Sequence, residues 1–363
     1  MPQIPIPYLF MRGGTSRGPF FRRSDLPEDQ SILADVLIAV IGSGHPLNID
    51  GIGGGASVTT KVAMLSEGSD RWADVDYFFA QVSVDDQTVD FKPTCGNMLS
   101  GVGPAAIEMG IVSADEGETT VKIHAVNVGA RVVAKFKTDG GGVVYEGGTA
   151  IDGVPGMAAP IELSFMDIVG SATGSLLPTG NLRDVVDGIE VTCMDVAMPM
   201  VIARAEDFGL TGYETPGELD ANRGFFDKME AIRIKAGAQM GMGDVSKSVT
   251  PKFGLFAPAR EGGTIAARYF IPWKAHLSMA VTGAQCLASC ALAPGTVSEG
   301  LLERPATSPA TVVIEHASGT IDVLVDYEVS ETGLMMNSAG LVRTARKLAD
   351  GRIYIPSSVW AGP

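Results

Sequence analysis

Five residues recur almost unchanged in the two halves of the chain, as Ser57-Val-Thr-Thr-Lys61 and Ser248-Val-Thr-Pro-Lys252. Around them, further features repeat in the same order. A strand–turn–strand entry (Tyr8 to Phe21; Val191 to Ile202) leads to a helical stretch, Gln30 to Ile41 in one half and Glu218 to Ala238 in the other. A glycine turn then precedes each lysine string, at Gly51-Ile-Gly-Gly-Gly55 and at Gly241-Met-Gly243. A second turn opens a further helix at Thr94-Cys-Gly-Asn97 and at Thr282-Gly-Ala284, 33 and 30 residues after the respective lysines. Alternating apolar runs around a glycine turn close each copy as a hairpin, Val121 to Phe136 and Val312 to Tyr327. Ordered repetition of this kind signals duplication of one folding unit. The expected architecture is α+β, with two pseudo-symmetric domains.

The 363 residues suit two domains, and 45% apolar residues suffice for two cores. Gly153, Pro155, Gly156, Pro160, Pro178 and Gly180 punctuate the stretch between the copies. This places the expected domains at 1–184 and 185–349, with 350–363 as a C-terminal segment packing back on the first. A net charge of −15 leaves no basic face for nucleic acid, so any anion site must be local. No segment reads as membrane-spanning or as an export signal, and four dispersed cysteines without paired spacing fit reduced thiols in the cytoplasm. The histidines lack metal spacing, so neither a metal nor a cofactor is expected. Oligomeric state is left open between monomer and homodimer.

Two side chains carry the chemistry. Cys95 precedes Gly96-Asn97 and an apolar run of helical spacing, which Gly103-Pro104 is expected to kink or split. Free N–H groups at a helix start favour a thiolate, although most free cysteines are merely small core groups. Lys61 follows the glycine turn and enters an apolar strand, where an amine serves as a general base; a snorkelling lysine at a strand edge is the plainer alternative. Three turns suit carboxylates: Gly13-Gly14-Thr15-Ser16 between Arg12 and Arg17, then Gly96-Asn97, then Gly283-Ala284. The glycine run at 51–55 is not the GxGxxG of a dinucleotide site. His276 lies just before the last of these turns and is a further candidate for a carboxylate.

From Met11-Arg-Gly-Gly-Thr-Ser16 through Asp50-Gly-Ile-Gly-Gly54, Cys95-Gly-Asn97, Leu177-Pro-Thr-Gly-Asn181 and Gly243-Asp-Val-Ser246 to Gly340-Leu-Val-Arg-Thr-Ala-Arg346 and Trp360, the chain resembles a known family. It is that of the 4-oxalomesaconate tautomerases and isomerases with the related bacterial 2-methylaconitate cis–trans isomerases, which share the diaminopimelate epimerase fold. The resemblance implies two domains, each a sheet wrapped around a central helix, with the active site in the cleft between them. It implies Cys95 and Lys61 as an acid–base pair without cofactor. Substrate binding is implied for Arg12, Gly13, Thr15, Ser16, Arg17, Ser57, Gly96, Asn97 and Met98 in the first copy. In the second it is implied for Ser246, Lys252, His276, Ser278, Thr282, Gly283 and Ala284. The implied substrate is an unsaturated di- or tricarboxylate met in the breakdown of aromatic acids such as gallate or protocatechuate. 2-Methylaconitate isomerisation in propionate breakdown is the alternative, and a non-catalytic polycarboxylate binder a more distant one. Gly283 stands where the epimerases carry a second cysteine, and Arg17 where lysine is expected.

Overall fold

The computed structural model describes residues 3–330 and 333–362. They form two compact units, Met1–Phe165 with Val342–Pro363, and Met166–Leu341.

In the first unit, the strands Gln3–Gly13 and Ser16–Arg22 form a hairpin whose two-residue turn begins at Gly14. Its φ of +52° is a value that glycine adopts without steric cost. Gln3–Gly13 also pairs along its other edge with the last strand, Ala345–Pro356. Ser16–Arg22 runs parallel to Lys61–Glu67, which pairs antiparallel with Val75–Val82. That strand runs parallel to Gly117–Ala125, itself antiparallel to Ala130–Asp139.

Parallel neighbours need a crossover, and helices supply both. The first, Gln30–Ile41, is capped by Asp29, whose carboxylate accepts from Ser31 N and Ile32 N, and it ends at Gly42 in the left-handed region. The second crossover holds two short helices, Gly96–Leu99 and Val102–Glu108.

Alternate strand residues feed two cores. Phe21, Val62, Met64 and Ala80 meet the apolar side of Gln30–Ile41. Phe20, Ala63, Leu65, Tyr77 and Phe79, with Val121, Ile123, Val132 and Phe136, surround Met98, Leu99, Val102 and Ala105. The sheet therefore wraps the broken helix, as the resemblance implied.

The second unit repeats this scheme. Ile189–Asp195 pairs antiparallel with Pro199–Arg204, which runs parallel to Lys252–Ala257. Lys252–Ala257 is antiparallel to Ile265–Ile271, which is parallel to Ala310–His316, and that pairs antiparallel with Gly319–Ser330. Its central helix, Val281–Leu292, is buried on every side from Gly283 onward, as a helix inside a curled sheet must be. The duplication read from the lysine strings is thus a duplication of strand pairing.

Two helices differ from expectation. The helix expected over Glu218 to Ala238 is two, Pro216–Ala221 and Arg223–Gln239, because the Asn222 side chain caps the second by accepting from Phe225 N. The helix opened at Gly96 breaks at Ser100-Gly101 and not at Gly103-Pro104. Pro104 falls in the first turn of Val102–Glu108, where a missing N–H costs no helical bond. Gly101 instead lies under Phe20, whose ring would stand 2.8 Å from an added Cβ.

One close approach holds the first unit in register: a Cβ on Gly18 would stand 1.8 Å from the carbonyl oxygen of Lys61. Backbone occupies that space, so Gly18→Ala must push the paired strands away from each other. We expect it to lower unfolding free energy by about 2–3 kcal/mol, the upper range for overpacking, measured by urea denaturation.

Candidate active site

The glycine run before Lys61 is a packing device. A Cβ on Gly51 would stand 2.2 Å from Gly42 N, and one on Gly53 2.7 Å from Asn48 Oδ1. Asn48 ties the run down, donating to Gly42 O and Val84 O and accepting from Gly55 N at 2.8 Å. Folded onto the end of the first helix in this way, the run delivers Lys61 to the start of its strand.

Register places Lys61 directly opposite Gln81. Lys61 Nζ donates to Gln81 Oε1 and stands 5.3 Å from the centroid of the Phe79 ring. The Gln81 amide nitrogen is held by Ser57 O at 3.1 Å, Thr60 Oγ1 at 3.2 Å and Val82 O at 3.2 Å. That fixes its orientation and leaves the oxygen for Lys61. An amide oxygen accepts from an amine as well as from an ammonium, so this contact survives proton transfer.

Cys95 occupies the position before Gly96–Leu99 with extended backbone, and its side chain makes no capping bond. The helix is a single turn, too short for a large macrodipole. What it offers are the N–H groups of Gly96, Asn97 and Met98, which have no intrahelical acceptor. Tyr77 links the two candidate residues: its ring lies 6.2 Å from that of Phe79, and its phenol sits beside Thr94 and Cys95. Burial pushes that phenol well up, and the Cys95 thiol adds to the effect. The hydroxyls of Tyr77 and Thr94 are both buried without hydrogen-bond partners. Lys61, Phe79, Tyr77 and Cys95 are therefore successive neighbours along one face of Val75–Val82.

Cys95 is half-buried, whereas Cys193, Cys286 and Cys290 are buried. Burial pushes the Cys193 and Cys290 thiols up to about 12, and Cys286 well above its ordinary value. Those three are packing groups.

The hairpin turn docks beside Cys95. Asn97 Nδ2 donates to Thr15 Oγ1 at 3.0 Å, and Thr15 N approaches Asn97 Oδ1 at 3.4 Å. A Cβ on Gly13 would stand 2.6 Å from Asn97 O, and one on Gly14 2.2 Å from Asn97 Oδ1. The Asn97 side chain therefore serves the turn, leaving its backbone N–H for a ligand. Met98 is fully buried, and Ser57 offers its carbonyl to Gln81. Arg12 and Arg17 stand apart: they face each other across the hairpin, on the side of the sheet opposite Met11 and Phe20 of the inner core. Arg12 Nη1 donates to Gly14 O, Thr344 O and Thr344 Oγ1.

In the second unit the candidates gather around Tyr269. His276 packs against it with ring centroids 5.6 Å apart, and His276 Nδ1 accepts from Ser278 N at 3.0 Å. Burial lowers the His276 pKa, and nearby Lys252 lowers it further. Lys252 is itself buried, and desolvation followed by repulsion from Arg233 lowers its pKa. A Cβ on Gly283 would stand 2.3 Å from the Tyr269 ring, so Tyr269 fills the place of a side chain there. Ala284 is buried in the central helix beside Gly283, with Thr282 half-buried at its start. Ser246 lies apart on an exposed turn, where its N–H donates to Asp244.

Gln81, Tyr77, Phe79 and Tyr269 were not singled out from sequence. Their signal is register: once Lys61–Glu67 and Val75–Val82 are read as a hairpin, Gln81 falls opposite Lys61. Among the described residues, no cluster suited to a metal ion occurs and no helix is long and apolar enough to cross a membrane.

The solved structure of methylitaconate-delta-isomerase superposes with a TM-score of 0.90 at 34% identity, covering 99% of this chain and 97% of that one. The 4-oxalomesaconate tautomerase of Pseudomonas putida (strain KT2440) is 46% identical, over 100% of this chain and 99% of its own. The (4E)-oxalomesaconate Delta-isomerase of Novosphingobium sp. (strain KA1) is 46% identical over 96% and 97%. Fold and relatives define an isomerase on a duplicated α+β scaffold. The chain belongs to the PrpF protein family, whose model matches residues 3–356.

Two expectations follow. Brief iodoacetamide treatment of native protein labels Cys95, with the other three thiols modified only after unfolding; peptide mass spectrometry reads the difference. Gly283→Cys is destabilised by about 1–3 kcal/mol because Tyr269 must move, and it gains no amino-acid epimerase activity, measured by solvent deuterium incorporation.

Proposed function

We propose that this isomerase catalyses a 1,3-proton transfer on 4-oxalomesaconate or a close unsaturated tricarboxylate, in aromatic acid breakdown in the cytoplasm. Lys61 and Cys95 are its acid–base pair. The observation that carries this is the placing of an amine and a half-buried thiol at the two ends of the Tyr77–Phe79 pair. The sequence relationship to proteins named for oxalomesaconate supplies the substrate class.

One of the pair, as free base, removes a proton from the carbon conjugated to the keto and alkene groups. The electron pair spreads into a dienolate, whose developing oxyanion is met by N–H donors such as those of Gly96, Asn97 and Met98. The other member, as acid, returns a proton at the far end of the allylic system, or on oxygen for a keto–enol outcome. One proton is taken and one returned, so the substrate is isomerised without change of mass or redox state. The two residues end in exchanged protonation states and reset through solvent. Gln81 is a positioning residue that holds the amine in both states.

Proton NMR in deuterated water tests this. Wild-type protein should exchange one allylic position of 4-oxalomesaconate and move its double bond. Lys61→Met and Cys95→Ala should fold normally and lose at least ~100-fold in turnover; a near wild-type rate in either removes the pair from the reaction. Faster conversion of 2-methylaconitate than of 4-oxalomesaconate would transfer the assignment to the alternative substrate.

A further inference from the structure

Strand register brings three arginines side by side. Arg12 is paired opposite Arg17 on one edge and opposite Arg346 on the other. Like charges directly opposite on neighbouring strands oppose folding. Among the described residues, no carboxylate forms an ion pair with any of the three. Arg12 feels the crowding: burial lowers its pKa, and Arg346 lowers it further. The Arg17 guanidinium lies over the Phe10 ring at 5.6 Å.

The three arginines line one cavity of about 250 Å³, together with Ser16, Pro155 and Leu348. An unmatched triple charge lining one cavity calls for an anionic partner.

This cavity is not the one that Lys61 and Cys95 serve. Met11, Phe20 and Ala345, neighbours of the arginines in sequence, point into the core that holds Cys95. Strand alternation sends Arg12, Arg17 and Arg346 to the other side. Neither Lys61 nor Cys95 lines the cavity.

We propose that the cavity is a second anion site, separate from the Lys61–Cys95 pair, for a small organic acid bearing two or three carboxylates. Guanidinium forks match carboxylates in geometry. The apolar Pro155 and Leu348 suit a short carbon body better than an inorganic ion. The site stands whether or not the isomerase assignment holds, because it uses none of the residues proposed for proton transfer.

Titration calorimetry of the full chain with tricarballylate, a saturated tricarboxylate that cannot be turned over, tests it. Sodium phosphate at equal ionic strength is the second arm. Wild-type protein should show a tricarballylate site that Arg346→Gln weakens by about tenfold or more, the scale of a lost charge-assisted contact. The same variant should keep wild-type kcat and KM and, without added anion, melt no lower than wild type, since it removes repulsion. Pro155→Asp, which brings a fixed carboxylate to the cavity wall, should weaken the same site without touching an arginine. Unchanged tricarballylate binding in both variants would overturn the proposal. So would phosphate binding as tightly as tricarballylate, or a KM that rises in step with the lost binding, which would assign the arginines to the turnover site. Failure of the isomerase assignment shows separately, as absent deuterium exchange in wild-type protein.

Discussion

The carbonyl of Lys61 lies where a side chain on residue 18 would be, and much of the first unit depends on that contact. It lets Ser16–Arg22 lie beside Lys61–Glu67 in parallel register, which sets Lys61 opposite Gln81 through the next strand. The same hairpin presses Gly13 and Gly14 against Asn97, seating the turn that carries Cys95. One hairpin thus positions both residues proposed for proton transfer by giving up side chains where backbone must come close. Tyr77 and Phe79 then fill the space between amine and thiol with rigid aromatic surface.

Duplication supplied the scaffold twice, and the chemistry diverged. Both units share the same series of parallel and antiparallel pairings, and each has a lysine at the start of the same strand. In the second unit that lysine is buried beside Arg233, and the central helix opens with a glycine beneath Tyr269. Cys286, one turn further along, is sealed in the core, where burial keeps it a neutral thiol. A thiol half-open to solvent and an amine held by a neutral amide survive together only in the first unit.

Much of this was legible in the chain itself. The repeated lysine strings revealed the duplication, and the helix Gln30–Ile41 lies where its pattern placed it. The break near Cys95 was less legible: Gly103-Pro104 is the stronger breaker in sequence, but a proline in a first turn breaks nothing, and contact with Phe20 decided the matter. Arg12 and Arg17 looked like companions of the glycine turn because they flank it. Strand alternation, which sequence adjacency hides, turns them to the other side of the sheet.

From its sequence alone this chain declared two like units, a thiol and an amine in polar, glycine-marked settings, and a family. Those are properties of local pattern: apolar period, turn residues and repeated strings survive being read one residue at a time. Only the tertiary structure chose Gln81 as the partner of Lys61, put Tyr77 beside Cys95, filled the space above Gly283 with Tyr269 and lined up Arg17, Arg12 and Arg346. Each of these depends on which residues of distant strands fall opposite one another. A one-residue shift in register reverses every such pairing, so they are decided by how the sheets close and not by any segment alone.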